Sequence, residues 1–303
     1  MSDAWIGEVE PDALPGPARL PLGRRVGLPG RGVTFMRELE GPPGAPTLML
    51  LHGWLASGGM NWFRVFEPLS EHFRVIAPDL RGHGRGIHSR RHFRLADCAD
   101  DTAALCDVLG TGPVIAVGYS MGGPVAQLLW KRHRDLVDGL VLVATGLSMV
   151  PTQNQRTAFT TIMAVAAGTS RVGGLLTRLP SSWVRSRAPV STNGKRPDSI
   201  QRWAAAEMRR HNWRMIMEAG RAVGRFDAGD WLGEIDVSTA VLVTARDKGI
   251  PPESQEQLAR IIPYATTHYV DDGHTLCTNG GFAEPLLEVC LEVAGTRGPR
   301  LHS

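Results

Sequence analysis

Three observations predict an α/β fold: a mostly parallel central sheet, helices on both faces, and a helical segment inserted late in the chain. Short apolar, β-branched runs alternate with stretches whose apolar residues recur three and four apart. The runs are apolar throughout rather than alternating, as expected of strands covered on both faces. The alternation breaks once, between residues 147 and 230, where helical spacing continues without a buried strand.

Residues 1–30 are rich in proline and glycine with little periodicity, and are expected to form an arm that lies on the body or stays partly disordered. Val33–Leu39 has strand character and is placed at the sheet edge; Gly41-Pro42-Pro43-Gly44 follows as a turn. Thr47–Leu51 is an apolar strand ending at His52-Gly53. Trp62–Phe73 has helical spacing, Val75–Ala77 is a strand stopping at Pro78-Asp79, and Leu95–Leu109 is a helix. Pro113–Val117 is a strand, Gly123–His133 a helix with Val125, Leu128 and Leu129 on one face, and Leu140–Ala144 another strand.

The strand–helix beat resumes with Ala240–Thr244, Glu253–Ile262, Thr267–Val270 and Pro285–Val293. The core is thus residues 31–146 and 231–303, interrupted by the segment 147–230. That segment holds Trp183, Trp203, Trp213, Met208, Met215 and Met217.

At 303 residues the chain can bury one large core with an inserted subdomain, and 43% hydrophobic with 21% charged residues is the composition of a globular protein. A net charge of +3 is too mild to argue for nucleic acid. Cys98, Cys106, Cys277 and Cys290 form no C-x-x-C pair and are expected as free thiols in a reducing compartment. No metal or cofactor is expected. The first residues lack a basic-then-apolar run, and no stretch reaches the ~18 apolar residues of a membrane span. A cytoplasmic location is expected.

Gly118-Tyr119-Ser120-Met121-Gly122 lies between a buried strand and a helix. A serine on that tight turn is pushed out over the sheet edge, and the helix N-terminus favours developing negative charge. The five-residue pattern alone is weak; the strand–turn–helix setting gives it weight. A serine hydroxyl needs a base within hydrogen-bond reach and a third group to orient that base. Of ten histidines, His274 has the best setting, in Asp271-Asp272-Gly273-His274 just beyond a strand. His211 and His268 read as lying within helix or strand, and His83, His88 and His92 crowd an arginine-rich loop. The orienting acid is expected at Asp247, leaving the strand Val241–Thr244, with Asp227 and Asp230 as rivals. The order Ser120, Asp247, His274 is that of a triad on an α/β sheet.

A tetrahedral intermediate needs two main-chain N–H groups to hold its oxyanion. One is Met121, after the serine; the other is expected from Trp54 in His52-Gly53-Trp54, with His52 bonding loop backbone rather than acting chemically.

These elements, together with Pro78-Asp79-Leu80-Arg81-Gly82-His83-Gly84, resemble the α/β-hydrolase superfamily, in its branch with a serine nucleophile and a helical cap. The similarity covers roughly residues 31–146 and 235–294. It implies a lipase- or esterase-like enzyme whose cap is the 147–230 segment, and Ser120 disfavours the members with an aspartate nucleophile. One departure is Arg85-Gly86, where the family often has a serine.

The expected function is hydrolysis of a carboxylic ester or thioester. The alternatives are a C–C bond hydrolase, a lyase or a cofactor-free perhydrolase on the same triad, or a ligand sensor that keeps the fold. Substrate contacts are sought at Trp54, Tyr119, Met163 and Trp203. The 147–230 segment carries thirteen lysines and arginines against five acidic residues. That balance suits either a solvated helix surface or a cationic collar for an acyl substrate with an anionic head, or for an anionic lipid surface.

Overall fold

The computed structural model describes residues 4–10, 20–150, 153–176 and 200–296. The strands are β1 (Trp5–Glu10), β2 (Gly23–Leu28), β3 (Gly32–Leu39), β4 (Thr47–Leu51), β5 (Arg74–Pro78), β6 (Val114–Tyr119), β7 (Val137–Val143), β8 (Ser238–Thr244) and β9 (Thr266–Val270). The helices are α1 (Gly58–Trp62), α2 (Phe66–Ser70), α3 (Leu95–Leu109), α4 (Gly122–Arg132), α5 (Gln153–Leu176), α6 (Ile200–Met208), α7 (Trp213–Arg225), α8 (Pro252–Ile261) and α9 (Ala283–Gly295).

All of these strands join one sheet, in the order β1-β2-β3-β5-β4-β6-β7-β8-β9. The first three run antiparallel to their neighbours, and β5 through β9 are mutually parallel. Strands β4 and β6 are buried at every residue, which is why they read as unbroken apolar runs. One face of the sheet packs Cys98, Leu105, Val125, Leu129, Trp130 and Leu258 from α3, α4 and α8. The other packs Trp62, Phe66, Leu69, Leu286 and Val289 from α1, α2 and α9. Helix α3 ends at Gly110, whose left-handed backbone (φ 59°) closes the last turn.

Three sequence expectations are corrected. The arm, read above without any strand, contains β1 and β2. Gly23 and Gly27 are strand positions over which the Phe35 and Trp5 rings lie, so that a Cβ at either would collide with the ring. Glycine content therefore marks close aromatic approach here rather than a missing strand. Consequently β3 is not at the edge but lies between β2 and β5. Finally, Trp62–Phe73 is not one helix. Pro68 lacks the N–H that a continuous helix would need at that point, so the chain breaks after Trp62 and restarts with Pro68 in the first turn of α2.

Between β7 and β8 the chain forms α5, α6 and α7. Helix α7 is locked to the sheet side. Its Met215 packs on Gly82, and its Glu218 accepts from the Phe93 amide at 2.8 Å and pairs with Arg214 at 2.9 Å. Trp183 lies outside the described residues. The four cysteines are free thiols.

Candidate active site

Ser120 follows β6 with φ of +51°, a backbone region that non-glycine residues rarely enter and that needs surrounding structure to hold it. Its amide donates to the Val143 carbonyl at 3.0 Å and its carbonyl accepts from Gly123 at 2.9 Å, so the turn is clamped from both sides. Gly122 approaches β4 so closely that a Cβ there would strike the Leu51 carbonyl. The spacing of the motif is therefore set by contact between elbow and sheet.

The Ser120 hydroxyl stands 2.9 Å from Nε2 of His274, and His274 Nδ1 stands 2.8 Å from Oδ2 of Asp247. With Nδ1–H donating to the carboxylate, Nε2 presents a lone pair to the serine. Asp247 is fully enclosed: Thr244 Oγ1 also donates to Oδ2 (2.9 Å), and the Gly249 and Ile250 amides donate to Oδ1 (2.8 and 2.9 Å). Burial pushes its pKa up, but the His274 hydrogen bond and the Ile250 amide outweigh that and hold it below the usual carboxylate range. The rival Asp227 is engaged elsewhere, paired with Arg156 at 3.2 Å.

Over the serine lies the loop after β4. Gly53 leaves just enough room, since a Cβ there would sit 3.3 Å from the Ser120 Cβ. The Gly53 amide donates to Asn61 Oδ1 at 3.0 Å. His52 has its Nδ1 2.8 Å from the Gly53 carbonyl and accepts from the Leu80 amide through Nε2 at 2.9 Å. Both nitrogens are thus committed to loop backbone. Asp79 completes the support by accepting from the Gly58 and Arg85 amides, each at 2.8 Å. Met121 immediately precedes α4, where first-turn amides have no intrahelical acceptor and point at incoming negative charge. A serine–imidazole–carboxylate relay on a strained elbow, below a loop and a helix N-terminus, can deprotonate a hydroxyl and neutralise an oxyanion.

A family model described as alpha/beta hydrolase fold matches residues 46–280. The chain belongs to the α/β-hydrolase family. It is a hydrolase by that membership. Among characterised relatives, a magnesium-chelatase 30 kDa subunit of Rhodobacter capsulatus is 29% identical over 259 residues, 78% of this chain and 83% of its own length. A poly(3-hydroxyalkanoate) depolymerase of Ectopseudomonas oleovorans is 27% identical over 263 residues, 82% of this chain and 87% of its own. Among solved structures, a thermophilic esterase from Thermogutta terrifontis superposes with a TM-score of 0.67 at 25% identity, covering 90% of this chain and 98% of that one.

The α/β-hydrolase's other candidate residues fall in different places. Trp54 and Met163 meet at Gly220 of α7, where a Cβ would come within 2.7 Å of the indole and 3.0 Å of the Met163 sulfur. Phe159 stands edge-on to Trp54 at 5.9 Å. Tyr119 is put to another use: its ring lies in the core on the α9 side and its hydroxyl donates to the His274 carbonyl at 2.6 Å. Trp203 is buried against Phe63 at 5.8 Å, joining α6 to the core. The Arg85 departure acquires a structural role, since its guanidinium lies 3.8 Å over the Phe35 ring and 3.8 Å from Glu207 of α6.

The sequence reading missed Asn61 and misplaced His211. His211 stands in the turn before α7, not inside a helix. Asn212 is the N-cap of that helix, its side chain accepting from the Met215 amide at 3.2 Å, and an asparagine ahead of an apolar stretch was the available signal. Among the described residues no group of three or more His, Cys, Asp or Glu side chains is placed to hold a metal ion. No described helix is long and apolar enough to cross a membrane.

Proposed function

We propose that this α/β-hydrolase cleaves a carboxylic ester or thioester through an acyl-enzyme, with residues 147–230 as a cap over the site. The observation that carries the reading is the unbroken relay Ser120–His274–Asp247, at 2.9 and 2.8 Å, on a serine held at φ +51°. In this scheme His274 Nε2 takes the Ser120 proton as Oγ attacks the carbonyl carbon. The Trp54 and Met121 amides hold the oxyanion, and the imidazolium formed is stabilised by Asp247. His274 then protonates the departing alcohol or thiol. Water, deprotonated by the same nitrogen, attacks the acyl carbon and restores the serine.

The relatives named as a depolymerase and an esterase favour an ester carbonyl over the other bonds that such a relay can break. For the remainder of the substrate we point to the inserted segment, whose thirteen lysines and arginines against five acidic residues favour an anionic head.

A fluorophosphonate should phosphonylate Ser120, as read by mass spectrometry of the labelled peptide. A panel of p-nitrophenyl esters of rising chain length, run beside an acyl-CoA, should show saturable turnover. Labelling that persists in Ser120→Ala would overturn the assignment.

A further inference from the structure

We infer that His211 is a positioning residue that fixes the oxyanion loop, so that the inserted helices complete the catalytic geometry as well as cover it. The inference rests on the ester-cleavage reading above, and concerns which part of the chain sets the Trp54 amide in place.

The loop that carries this amide is held in an unfavourable conformation. Leu55, the next residue, has φ of +64°, a region that side-chain-bearing residues rarely occupy unless their surroundings hold them there. Within the loop there is one main-chain bond across the turn, from the Ala56 amide to the Gly53 carbonyl, at a long 3.3 Å. Gly53 is held from the core by Asn61 and His52, whereas Leu55 and the Trp54 side chain are held from the insertion. His211 Nε2 lies 3.2 Å from the Leu55 carbonyl, and the Trp54 indole N–H donates to the Ile216 carbonyl at 2.9 Å. Two consecutive residues of the loop are therefore tied to two points five residues apart.

The His211 ring is itself set. Its Nδ1 accepts from the Gly84 amide at 2.8 Å, which leaves Nε2 as the protonated nitrogen and makes it the donor to Leu55. The residue is 6% exposed and its ring lies against His83 (5.6 Å) and Trp213 (6.0 Å). The Asn212 amide donates to the Gly82 carbonyl at 2.9 Å, fixing the main chain beside it. A neutral imidazole that bridges the Pro78–Gly84 loop and the Leu55 carbonyl is what a rigid oxyanion donor needs, because such donors work by being oriented before charge develops.

Two substitutions separate the two hydrogen bonds. In His211→Asn the side chain ends near the Nδ1 position and keeps an acceptor for Gly84 but does not reach Leu55. In His211→Gln the amide N–H reaches the Nε2 position and keeps the bond to Leu55. Loss of a whole oxyanion donor costs about 10²–10³ in kcat, so a loosened donor is expected to cost about ten- to a hundredfold. His211→Asn should show that fall in kcat with KM within about threefold, and a parallel fall in the rate of Ser120 phosphonylation. His211→Gln should stay within about threefold of the parent in both. Equal behaviour of the two variants, or an effect confined to KM, overturns the inference.

If melting curves show that the His211 variants do not fold, Trp54→Phe decides. It removes the tie to Ile216 and keeps the ring, so it should lower kcat about tenfold with KM retained; an unchanged kcat would overturn the inference. A parent protein that neither reacts with the fluorophosphonate nor turns over any ester defeats the ester-cleavage reading instead.

Discussion

The Tyr119 hydroxyl hydrogen-bonds to the main-chain carbonyl of His274, joining the residue before the candidate nucleophile to the loop that carries the candidate base. Elbow and histidine loop are 155 residues apart in sequence and come from different strands. Their spacing depends on a rigid phenol anchored among Trp62 and Phe282.

Tyr119→Phe should therefore leave the core filled but free the His274 carbonyl. Loss of one buried hydrogen bond costs about 1 kcal/mol of stability. The kcat should fall by more than that stability change alone would suggest, by about three- to tenfold, with KM little altered. Urea denaturation and initial-rate kinetics on the same preparation check both parts. An unchanged kcat would mean that the histidine loop is held adequately without the phenol.

Asp247→Asn replaces an oxygen that accepts from His274 by an amide and permits the wrong imidazole tautomer. A fall in kcat of about 10⁴ is expected, with the melting temperature nearly kept. Asp227→Asn serves as the control, since Asp227 pairs with Arg156 in the inserted segment. It should keep activity within about twofold; the reverse pattern would move the orienting role to Asp227.

Stability should fall in mild acid because of buried histidines that take no part in the chemistry. Burial pushes the His52 imidazole down to about 4, and His83 well below its ordinary value. As the pH drops below 6.5, the unfolded chain takes up these protons while the folded chain does not, so the loss accumulates between about 6.5 and 4. For His52 alone the gap corresponds to about 3 kcal/mol. Chemical denaturation at pH 7, 5.5 and 4.5 should show a descending midpoint, with a shallower descent in His52→Asn. A flat midpoint across that range would contradict the neutral assignment of these rings.

If the arginine-rich inserted segment receives an anionic head, raising ionic strength from low to physiological should reduce kcat/KM for a charged acyl substrate and leave a neutral ester of equal chain length unaffected. Exposed charges are screened over about 8–10 Å under those conditions. Arg221→Gln with Arg225→Gln should remove the salt response without lowering turnover of the neutral ester. Equal salt response of both substrates would leave the arginines as solvated helix surface.

The side chains now joined by hydrogen bonds were legible because each had to satisfy a local rule. Ser120 needed glycines on a strand–helix turn, and Asp247 and His274 had to leave neighbouring strands at the same edge. The helix Leu95–Leu109 was legible to the residue because apolar spacing and a terminal glycine agree. What escaped was set by partners distant in sequence. Gly23 and Gly27 look like loop residues until Phe35 and Trp5 are laid over them. His211 gains a role only when α7 is docked, because its partners Gly84 and Leu55 lie 127 and 156 residues away.

The placement of β2 has a practical consequence. Beside it, β3 is an inner strand, with the Phe35 ring covered and its outward main-chain groups satisfied. A chain begun at residue 31 would turn those eight residues into a naked margin, apolar and ready to pair with a second copy. Such a truncated protein should come out of expression as aggregate rather than as a trimmed, working enzyme. In the full chain β2 covers that margin and β1 takes its place as the terminal strand of the sheet.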